Sequence, residues 1–516
     1  MSNPPIPADA PFDQPSADIV LRSADHVDFR AHRVILAQAS PFFADMFSLP
    51  QTSPPDASAL PVVDMSEDSK TLRRLLLLCY PVDKQELDSV ADIAPVLAAA
   101  RKFDMEWPIR LLARDLDASL SRSPLHAWAC ACRSGLEDVA RRAAEEIKRR
   151  VSSKAAETED PDPDSCIALL PTLRAALEEE GLTDVLQGVS GGAYFRLREY
   201  VREASPLFSI GPGSISAVAD EPPPERIRPG FLPPYPPPDA TILCSDGVLV
   251  EAHEVIIALR LPGISIATPG QGTYTLDAPS TALVDILTLC YRGKSNAPAH
   301  GTDIDGLACV LAVCEKSPMD AQMFNAPRKL WDKCVQTDPF RAYLAAAKRG
   351  LGEEDVRVAA RKTLAITLLG LYTEQLEDAE AMVYERLLKY HHDASIAVVG
   401  VLAQEGDNWS HKLLGRFRIH DNFPETALPM TPARLIKDAT RKLSVGRYAP
   451  ASSLEVMGIG VSTPIEAALQ EWRSSCPSET PKKYSNMIRD VLWDMDSTLR
   501  RGIRGVLDVA RLALQT

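Results

Sequence analysis

Two short runs rich in β-branched and large apolar residues lie near the N-terminus, Ile19–Leu21 and Val27–Phe29. Polar Ser23–His26 separates them, so the pattern predicts a β-hairpin. The spacing of apolar residues then changes, and His32–Ala39 carries three consecutive aliphatic residues within a helical pattern. We therefore predict a strand–turn–strand unit that leads directly into a helix.

A second short helix is predicted to start at Ser40-Pro41, because serine is a favoured N-cap and proline a favoured first helical residue. We expect a third strand at Pro61–Asp64 and a further helix capped by Ser66. Large apolar residues of the second helix cannot all face water, and we assign them to a core: Phe42, Phe43, Met46 and Phe47. Mainly helical patterns follow at Asp92–Phe103, Pro108–Leu120, Leu125–Cys132 and Leu136–Arg150.

The chain repeats itself. Asp18–His32 (DIVLRSADHVDFRAH) returns 221 positions later as Asp239–His253 (DATILCSDGVLVEAH). Leu72–Tyr80 returns 211 positions later as Leu283–Tyr291. Two further blocks match in the same order: Ser123–Leu136 with Asp338–Leu351, and Tyr194–Ala204 with Tyr384–Ala394. Four ordered matches predict an internal duplication of two similar α/β units.

The second copy departs from the first after its first helix. Leu261-Pro262-Gly263 interrupts the register there, so we expect the helix that corresponds to Ser40–Phe47 to be shortened or missing.

A histidine and an aspartate recur in both copies at the same separation. We expect His32 and His253 to lie buried at helix starts beside aliphatic residues such as Val34. Buried ring nitrogens need partners, and Asp18 and Asp239 are the obvious candidates, with a backbone acceptor as the other option. The pattern thus favours a structural role for these histidines.

Between the copies, Glu221–Pro238 holds nine prolines in eighteen residues, which predicts a semi-rigid linker more than a ligand for an SH3-type domain. The predicted organisation is a disordered N-terminus (1–15), a first α/β unit (16–115), a helical extension (116–205), a Pro-rich linker (206–238), a second α/β unit (239–335) and a helical C-terminal region (336–516).

Residues 29–37 (FRAHRVILA) and 40–47 (SPFFADMF) closely resemble a BTB/POZ domain, and residues 45–51 and 76–81 are similar to the form abundant in fungal proteins. The resemblance covers about residues 16–105. It extends more weakly over 239–320, which resembles a degenerate copy. The implied fold class is α+β, with two BTB/POZ-like α/β units, each followed by a mainly α-helical extension.

The resemblance implies a protein-interaction scaffold that forms dimers and has no catalytic activity of its own. Cullin-recruiting members commonly carry a hydrophobic residue and, two positions on, a glutamate. Here Leu49-Pro50-Gln51 removes that charge, so a cullin adaptor is the alternative. Tethered domains can also pair within one chain. We assign structural or interaction roles to Asp18, Phe29, His32, Phe42, Phe43, Met46, Phe47, Gln51, Asp239 and His253.

Charge and composition disfavour several other functions. The 56 Lys+Arg against 70 Asp+Glu give a net charge of −14, which repels phosphate backbones and argues against nucleic-acid binding. Neither a secretory signal nor a run of about 20 apolar residues is visible, so we expect an intracellular protein that does not enter membranes.

Candidate chemical sites are weak. Gly188–Gly192 (GVSGG) matches a hydrolase nucleophile elbow, but Leu182–Gln187 before it does not read as a strand. The ten cysteines lack paired zinc spacings, while His126 with Cys130 and the 391–393 cluster each lack a further ligand. No phosphate-binding glycine motif is present. We therefore predict no catalytic, cofactor or metal site.

Overall fold

The computed structural model describes residues 5–49, 60–82, 87, 89–156, 169–211, 226–233, 236–261, 265–268, 273–292, 303–315, 325–364, 366, 368–394 and 397. They fall into two compact units, the first comprising Met1–Val189 and Ala193–Ser214 and the second Ser190–Gly192 and Ile215–Thr516.

The first unit contains a four-stranded sheet whose strands are β1 (Ile6–Pro7), β2 (Ile19–Arg22), β3 (Val27–Ala31) and β4 (Val62–Asp64). The strand order is β1-β3-β2-β4. β2 and β3 form the predicted antiparallel hairpin, whereas β1 and β4 pair in parallel at the two edges. In β3, buried Phe29 and Ala31 flank exposed Arg30, as expected for a sheet with one covered face, whereas Ile19–Leu21 of β2 are all buried.

Five helices complete the α/β part of this unit: α1 (Arg33–Ala39), α2 (Pro41–Ser48), α3 (Ser69–Cys79), α4 (Val90–Lys102) and α5 (Glu106–Ala118). The predicted cap of α2 is confirmed, because Ser40 Oγ accepts the Phe43 N–H at 3.1 Å. The predicted cap of α3 is wrong. Asp68 Oδ1 accepts the Thr71 N–H at 2.7 Å, because α3 begins two residues later than a Ser66 cap would require.

The helical extension of the first unit consists of α6 (Pro124–Arg133), α7 (Glu137–Ala156), α8 (Leu169–Glu179), α9 (Leu182–Leu186) and α10 (Gly191–Val201). The expected boundary at residues 115/116 falls inside α5 and is therefore wrong. Leu112 and Leu116 are both buried on one face of that helix, so the packing continues through the boundary.

The N-terminal segment is ordered where it is described, which corrects the expectation of disorder over residues 1–15. β1 pairs with β3, and the Phe12 side chain is 0% exposed. The ring of Phe12 packs edge-on against Phe29 (5.7 Å between centroids) and Tyr80 (5.3 Å). Arg73 donates hydrogen bonds to the Asp9 and Ala10 carbonyls. Phe12 thus anchors the N-terminal segment to the sheet, although the proline-rich composition of this segment predicted no ordered structure.

Replacing Phe12 by alanine should lower the free energy of unfolding by about 3–5 kcal/mol, the usual cost of emptying a buried aromatic site. Ile6→Ala, at an exposed position of β1, is the matched control and should cost less than about 1 kcal/mol. Urea unfolding of the full chain measures both changes. Equal, small effects would show that the N-terminal segment does not pack on the sheet.

The second unit contains a five-stranded sheet built from β5 (Arg226–Ile227), β6 (Ala240–Cys244), β7 (Leu249–Ala252), β8 (Ser265–Thr268) and β9 (Thr273–Leu276). Its strand order is β5-β7-β6-β9-β8. β6 and β7 are antiparallel with Ala240 opposite Ala252, and β5 and β9 pair in parallel with this hairpin. β8 pairs antiparallel with β9 at the outer edge.

The helices of the second unit are α11 (Glu254–Arg260), α12 (Ser280–Arg292), α13 (Ile304–Glu315), α14 (Asn325–Thr337), α15 (Pro339–Arg349), α16 (Glu353–Thr363), α17 (Gln375–Asp378) and α18 (residues 381–394). The expected boundary at 335/336 is wrong because it lies inside α14. Between α11 and β9, the described residues form β8 and no counterpart of α2. Most of the predicted helical region 336–516, from residue 398 onward, lies outside the described residues.

The proline-rich stretch is not simply a linker over residues 206–238. Phe208 is buried in the first unit. In the second unit, β5 pairs with β7 and the Phe231 ring packs against Tyr291 at 5.5 Å. Proline restricts the backbone to extended conformations, which suits an edge strand as well as a spacer. Arg226–Ile227 therefore belong to the second sheet, and the Phe231 ring packs in the same unit.

A carboxylate in each hairpin turn holds the start of a helix. Asp25 accepts hydrogen bonds from the N–H (2.8 Å) and hydroxyl (2.6 Å) of Ser69. Asp246 accepts one from the Ser280 N–H at 2.8 Å. Hydrogen bonds from the Ser23 and Ser69 side chains lower the pKa of Asp25. Burial acts against ionisation of Asp246, but hydrogen bonds from Ser280 prevail and its pKa is also lowered.

Asp25→Asn should destabilise the protein by about 0.3–1 kcal/mol at pH 7, because a negative charge at a helix start is lost. Since the folded-state pKa is lowered, this contribution is present above the unfolded-state pKa of about 3.9 and is lost as the pH falls through the folded-state value. Urea unfolding between pH 3 and 7 should therefore show the two proteins converging at acid pH. Asp45→Asn, at an exposed position, is the control, and a pH-independent Asp25→Asn effect would contradict the assignment.

Candidate interaction surface

The start of α1 is held by a tyrosine hydroxyl from α3's C-terminal end. The backbone N–H of His32 donates to Tyr80 Oη at 2.9 Å, and His32 Nδ1 lies 3.2 Å from the same oxygen. His32 Nε2 is 3.0 Å from Ser16 Oγ. The imidazole is half-buried between these two hydroxyls. His32 is therefore a structural residue at the first turn of α1.

Asp18 acts on the helix backbone and not on the histidine. Its Oδ1 accepts the N–H of Arg33 at 2.7 Å, the first residue of α1. The His32 ring was expected to bond to Asp18 or to a backbone acceptor, but its two nitrogens lie next to the Ser16 and Tyr80 hydroxyls instead. The residue is half-buried where large burial was expected. The first N–H groups of a helix have no acceptor within the helix, and the Asp18 carboxylate accepts one of them.

The second unit contains the same set of contacts. The His253 N–H donates to Tyr291 Oη at 3.0 Å, and Asp239 Oδ1 accepts the Glu254 N–H at 2.7 Å. His253 Nε2 lies 2.9 Å from the Pro236 carbonyl, which can only accept, so Nε2 carries the proton. In the neutral ring Nδ1 is then the acceptor, and Tyr291 Oη donates to it at 2.7 Å. His253 is buried, as predicted, and the Pro236 carbonyl is the backbone acceptor that was the alternative to Asp239. Tyr291 bonds to the other ring nitrogen.

Burial raises the pKa of Tyr80 and of Tyr291 above the ordinary tyrosine value. Both hydroxyls thus keep their proton at neutral pH and can accept from a backbone N–H while donating to a ring nitrogen. Phe12 and Phe231, each in the segment that precedes its hairpin along the chain, pack on these rings. The arrangement is a structural hydrogen-bonded unit, in which the nearby carboxylates of Asp18 and Asp239 accept helix N–H groups.

Tyr80→Phe should lower the free energy of unfolding by about 1–3 kcal/mol, because the partly buried His32 N–H loses its acceptor. Tyr372→Phe is the matched control. Its exposed hydroxyl donates to Glu377 at 2.8 Å, and its loss should change stability by less than about 0.5 kcal/mol. Urea unfolding midpoints of the full chain measure both. Equal losses would contradict a structural role for Tyr80.

Helix α1 buries one face and presents another to solvent. Leu36 is buried, whereas the Val34 side chain is 74% exposed. Val34, an apolar neighbour of the helix start, therefore faces water. In α11, Val255 is 59% exposed and Leu259 is also exposed. Exposed β-branched residues on a short, anchored helix are the features from which an interaction surface can be built.

The aromatic residues of α2 divide between core and surface. Phe43 is buried and packs on Phe103 (5.3 Å) and Phe47 (6.0 Å). Phe42 is 46% exposed, so the assignment of all four apolar residues of α2 to a core is wrong at this position; Met46 and Phe47 are half-buried. Two consecutive residues of a helix point about 100° apart, so they cannot both face one core.

Immediately after α2 the structure describes Leu49, whose side chain is 64% exposed, and it resumes at residue 60. Gln51 lies outside the described residues. Phe29 is buried in the sheet and takes part in the core rather than in a surface.

The weaker chemical motifs occupy structural positions. Ser190 follows the short helix α9 and precedes α10, so the strand that a nucleophile elbow requires is replaced by a helix. His126 Nδ1 lies 3.0 Å from Glu180 Oε2. Burial raises the pKa of the Cys79 thiol to about 12 and of Cys290 to about 11, which makes these thiols poor nucleophiles.

Among the described residues, no group of His, Cys, Asp and Glu side chains is arranged to hold a metal ion. Within the same part of the chain, every helix is too short or too polar to cross a bilayer.

Comparison with known families identifies the first unit. Residues 11–120 match the BTB/POZ domain family, a class of protein-interaction modules. The match spans β2 to β4 and α1 to α5, together with Phe12 of the N-terminal segment. The first unit therefore contains a BTB/POZ domain, as the resemblance implied, with bounds wider than the expected 16–115. Such domains bind protein partners, dimerise and bind cullins. The chain matches no curated protein.

The two tyrosines were missed as partners of the histidines. Both stand at the end of the repeated Leu-Cys-Tyr block, which was used only as a marker of duplication. Each tyrosine recurs with its histidine, and this recurrence was a usable signal. The distance along the chain, 48 residues in the first unit and 38 in the second, hid the contact.

Proposed function

We propose that the chain is a non-enzymatic scaffold that binds other proteins through pairing of its BTB/POZ domain. The observation that carries the proposal is the exposed Val34 on α1, within a domain of a class that binds proteins. Burial of such a side chain contributes about 1.5–3 kcal/mol when it is removed from water.

The surroundings of α1 suit an interface. Asp18 and Tyr80 fix the first turn of the helix, so Val34 is presented on a pre-organised element and little ordering is needed on binding. Gln38, one turn further along the same face, is also exposed. Phe42 and Leu49 add exposed apolar area on α2 and at its end.

We further propose that the second unit is a degenerate BTB-like copy and that the first domain is of the fungal type. The first part is supported by the two matching strand orders, by the equivalent hairpin registers, and by the Asp–His–Tyr contacts found in each unit. Val34 and Val255 occupy corresponding positions of the repeat. Pairing can therefore join two chains or the two units of one chain.

A cullin adaptor is the second candidate, because exposed Leu49 supplies a hydrophobic residue after α2. Gln51 lacks the charge that cullin-recruiting domains commonly place two residues later. Co-purification of a cullin with the full chain, lost on Leu49→Glu, would favour this function. Its absence would leave the scaffold as the better proposal.

Val34→Glu should weaken dimerisation of the full chain at least tenfold, because a charge would be buried in the interface without a partner. Sedimentation equilibrium measures the dissociation constant. Val358→Glu, at an exposed position of α16, is the matched control and should dimerise like the wild type.

Equal dimerisation of wild type and Val34→Glu would contradict pairing through α1. A monomeric wild type that becomes dimeric on Val255→Glu would instead favour pairing within the chain, since the freed first domain could then bind a second copy.

A further inference from the structure

Residues 205–211, here called the strap, lie across the helical extension of the first unit as neither helix nor strand. Phe208 is buried, and its ring meets the indole of Trp128 on α6 edge-on, with centroids 6.1 Å apart. Trp128 is itself completely buried. The strap thus places one aromatic side chain in an aromatic pocket.

Two charged side chains hold the backbone of the strap. Arg196 on α10 donates to the carbonyls of Ser209 (2.9 Å) and Ile210. Glu137, the first residue of α7, accepts the N–H of Ile210 at 3.0 Å. These contacts recognise main-chain atoms, which every extended peptide offers at the same spacing. Only the Phe208 pocket selects a side chain.

The strap contributes a single large buried side chain to its site. Leu207 is 67% exposed and Pro206 is also exposed, so Phe208 is the large apolar side chain that the site takes up. The Trp128 indole N–H is buried and has no acceptor in the described part of the chain. A buried donor without an acceptor is unfavourable. Departure of the strap would break no helix and no strand ladder.

We propose that the groove between α6, the start of α7 and α10 is a peptide-binding site whose resident occupant is the strap. The ligand is an extended segment of another protein with an aromatic residue at the Phe208 position. Its next two carbonyls bind Arg196, and the amide two residues after the aromatic binds Glu137. This site is separate from the α1 surface of the BTB/POZ domain.

Tethering sets how strongly a ligand must compete. A segment joined to its groove by a short connection has an effective concentration in the millimolar range. A free peptide with the strap's own sequence should therefore bind the wild type poorly and bind well once the resident phenylalanine is removed.

The test uses the full chain and a fluorescein-labelled peptide of residues 204–212, ASPLFSIGP. By fluorescence anisotropy, Phe208→Ala should bind it at least tenfold more tightly than the wild type. Leu207→Ala is the matched control and should behave as the wild type, because that side chain is exposed. A peptide with alanine in place of phenylalanine should not bind to any of these proteins.

Absence of peptide binding to a folded Phe208→Ala protein, judged by circular dichroism and its unfolding midpoint, overturns the proposal. If that variant does not fold, Phe208→Leu replaces it, and failure of the peptide to bind and to raise the unfolding midpoint has the same meaning. Peptide-induced dissociation of a wild-type dimer would show that the occupant is a second copy's strap, and would overturn the assignment to another protein.

Discussion

A buried tyrosine hydroxyl helps to determine where α1 begins, and the exposed face of α1 that we propose as an interaction surface depends on it. A helix of seven residues does not form in isolation, because the free-energy cost of nucleation exceeds the stabilisation from so few hydrogen bonds. Its N-cap residue, His32, makes no side-chain capping bond of its own. Tyr80 and Asp18 satisfy the first N–H groups instead. The helix is thus initiated by residues far away along the chain.

The same tyrosine ties three elements of each unit together. Tyr80 lies at the end of α3, contacts the helix start through its hydroxyl, and packs its ring against Phe12 of the N-terminal segment. Tyr291 repeats this with His253 and Phe231. Because each contact orders a different segment, the sheet edge, the hairpin and the helix depend on one another.

The surfaces of the two units differ where their sequences diverge. The first unit continues from α1 into α2, whose Phe42 faces solvent, whereas the described chain of the second unit forms β8 on the outer edge of β9. At the first helical position the first unit carries Arg33 and the second carries Glu254. The shared contacts therefore support α/β cores that present different chemistry, as expected if the two units bind different surfaces.

The sequence by itself determined the hairpin, the third strand, the Ser40 cap and the BTB/POZ assignment, because each rests on residues close together in the chain. Tertiary structure decided the rest. β1 is ordered because it pairs with β3 at the sheet edge, and Phe12 is ordered because its ring packs against Tyr80. Asp18 binds a backbone N–H instead of His32, and Val34 faces water, because the packing of α1 sets which side is covered. Local pattern specifies which segments form helices and strands, but long-range contacts decide which polar groups meet and which apolar residues remain exposed.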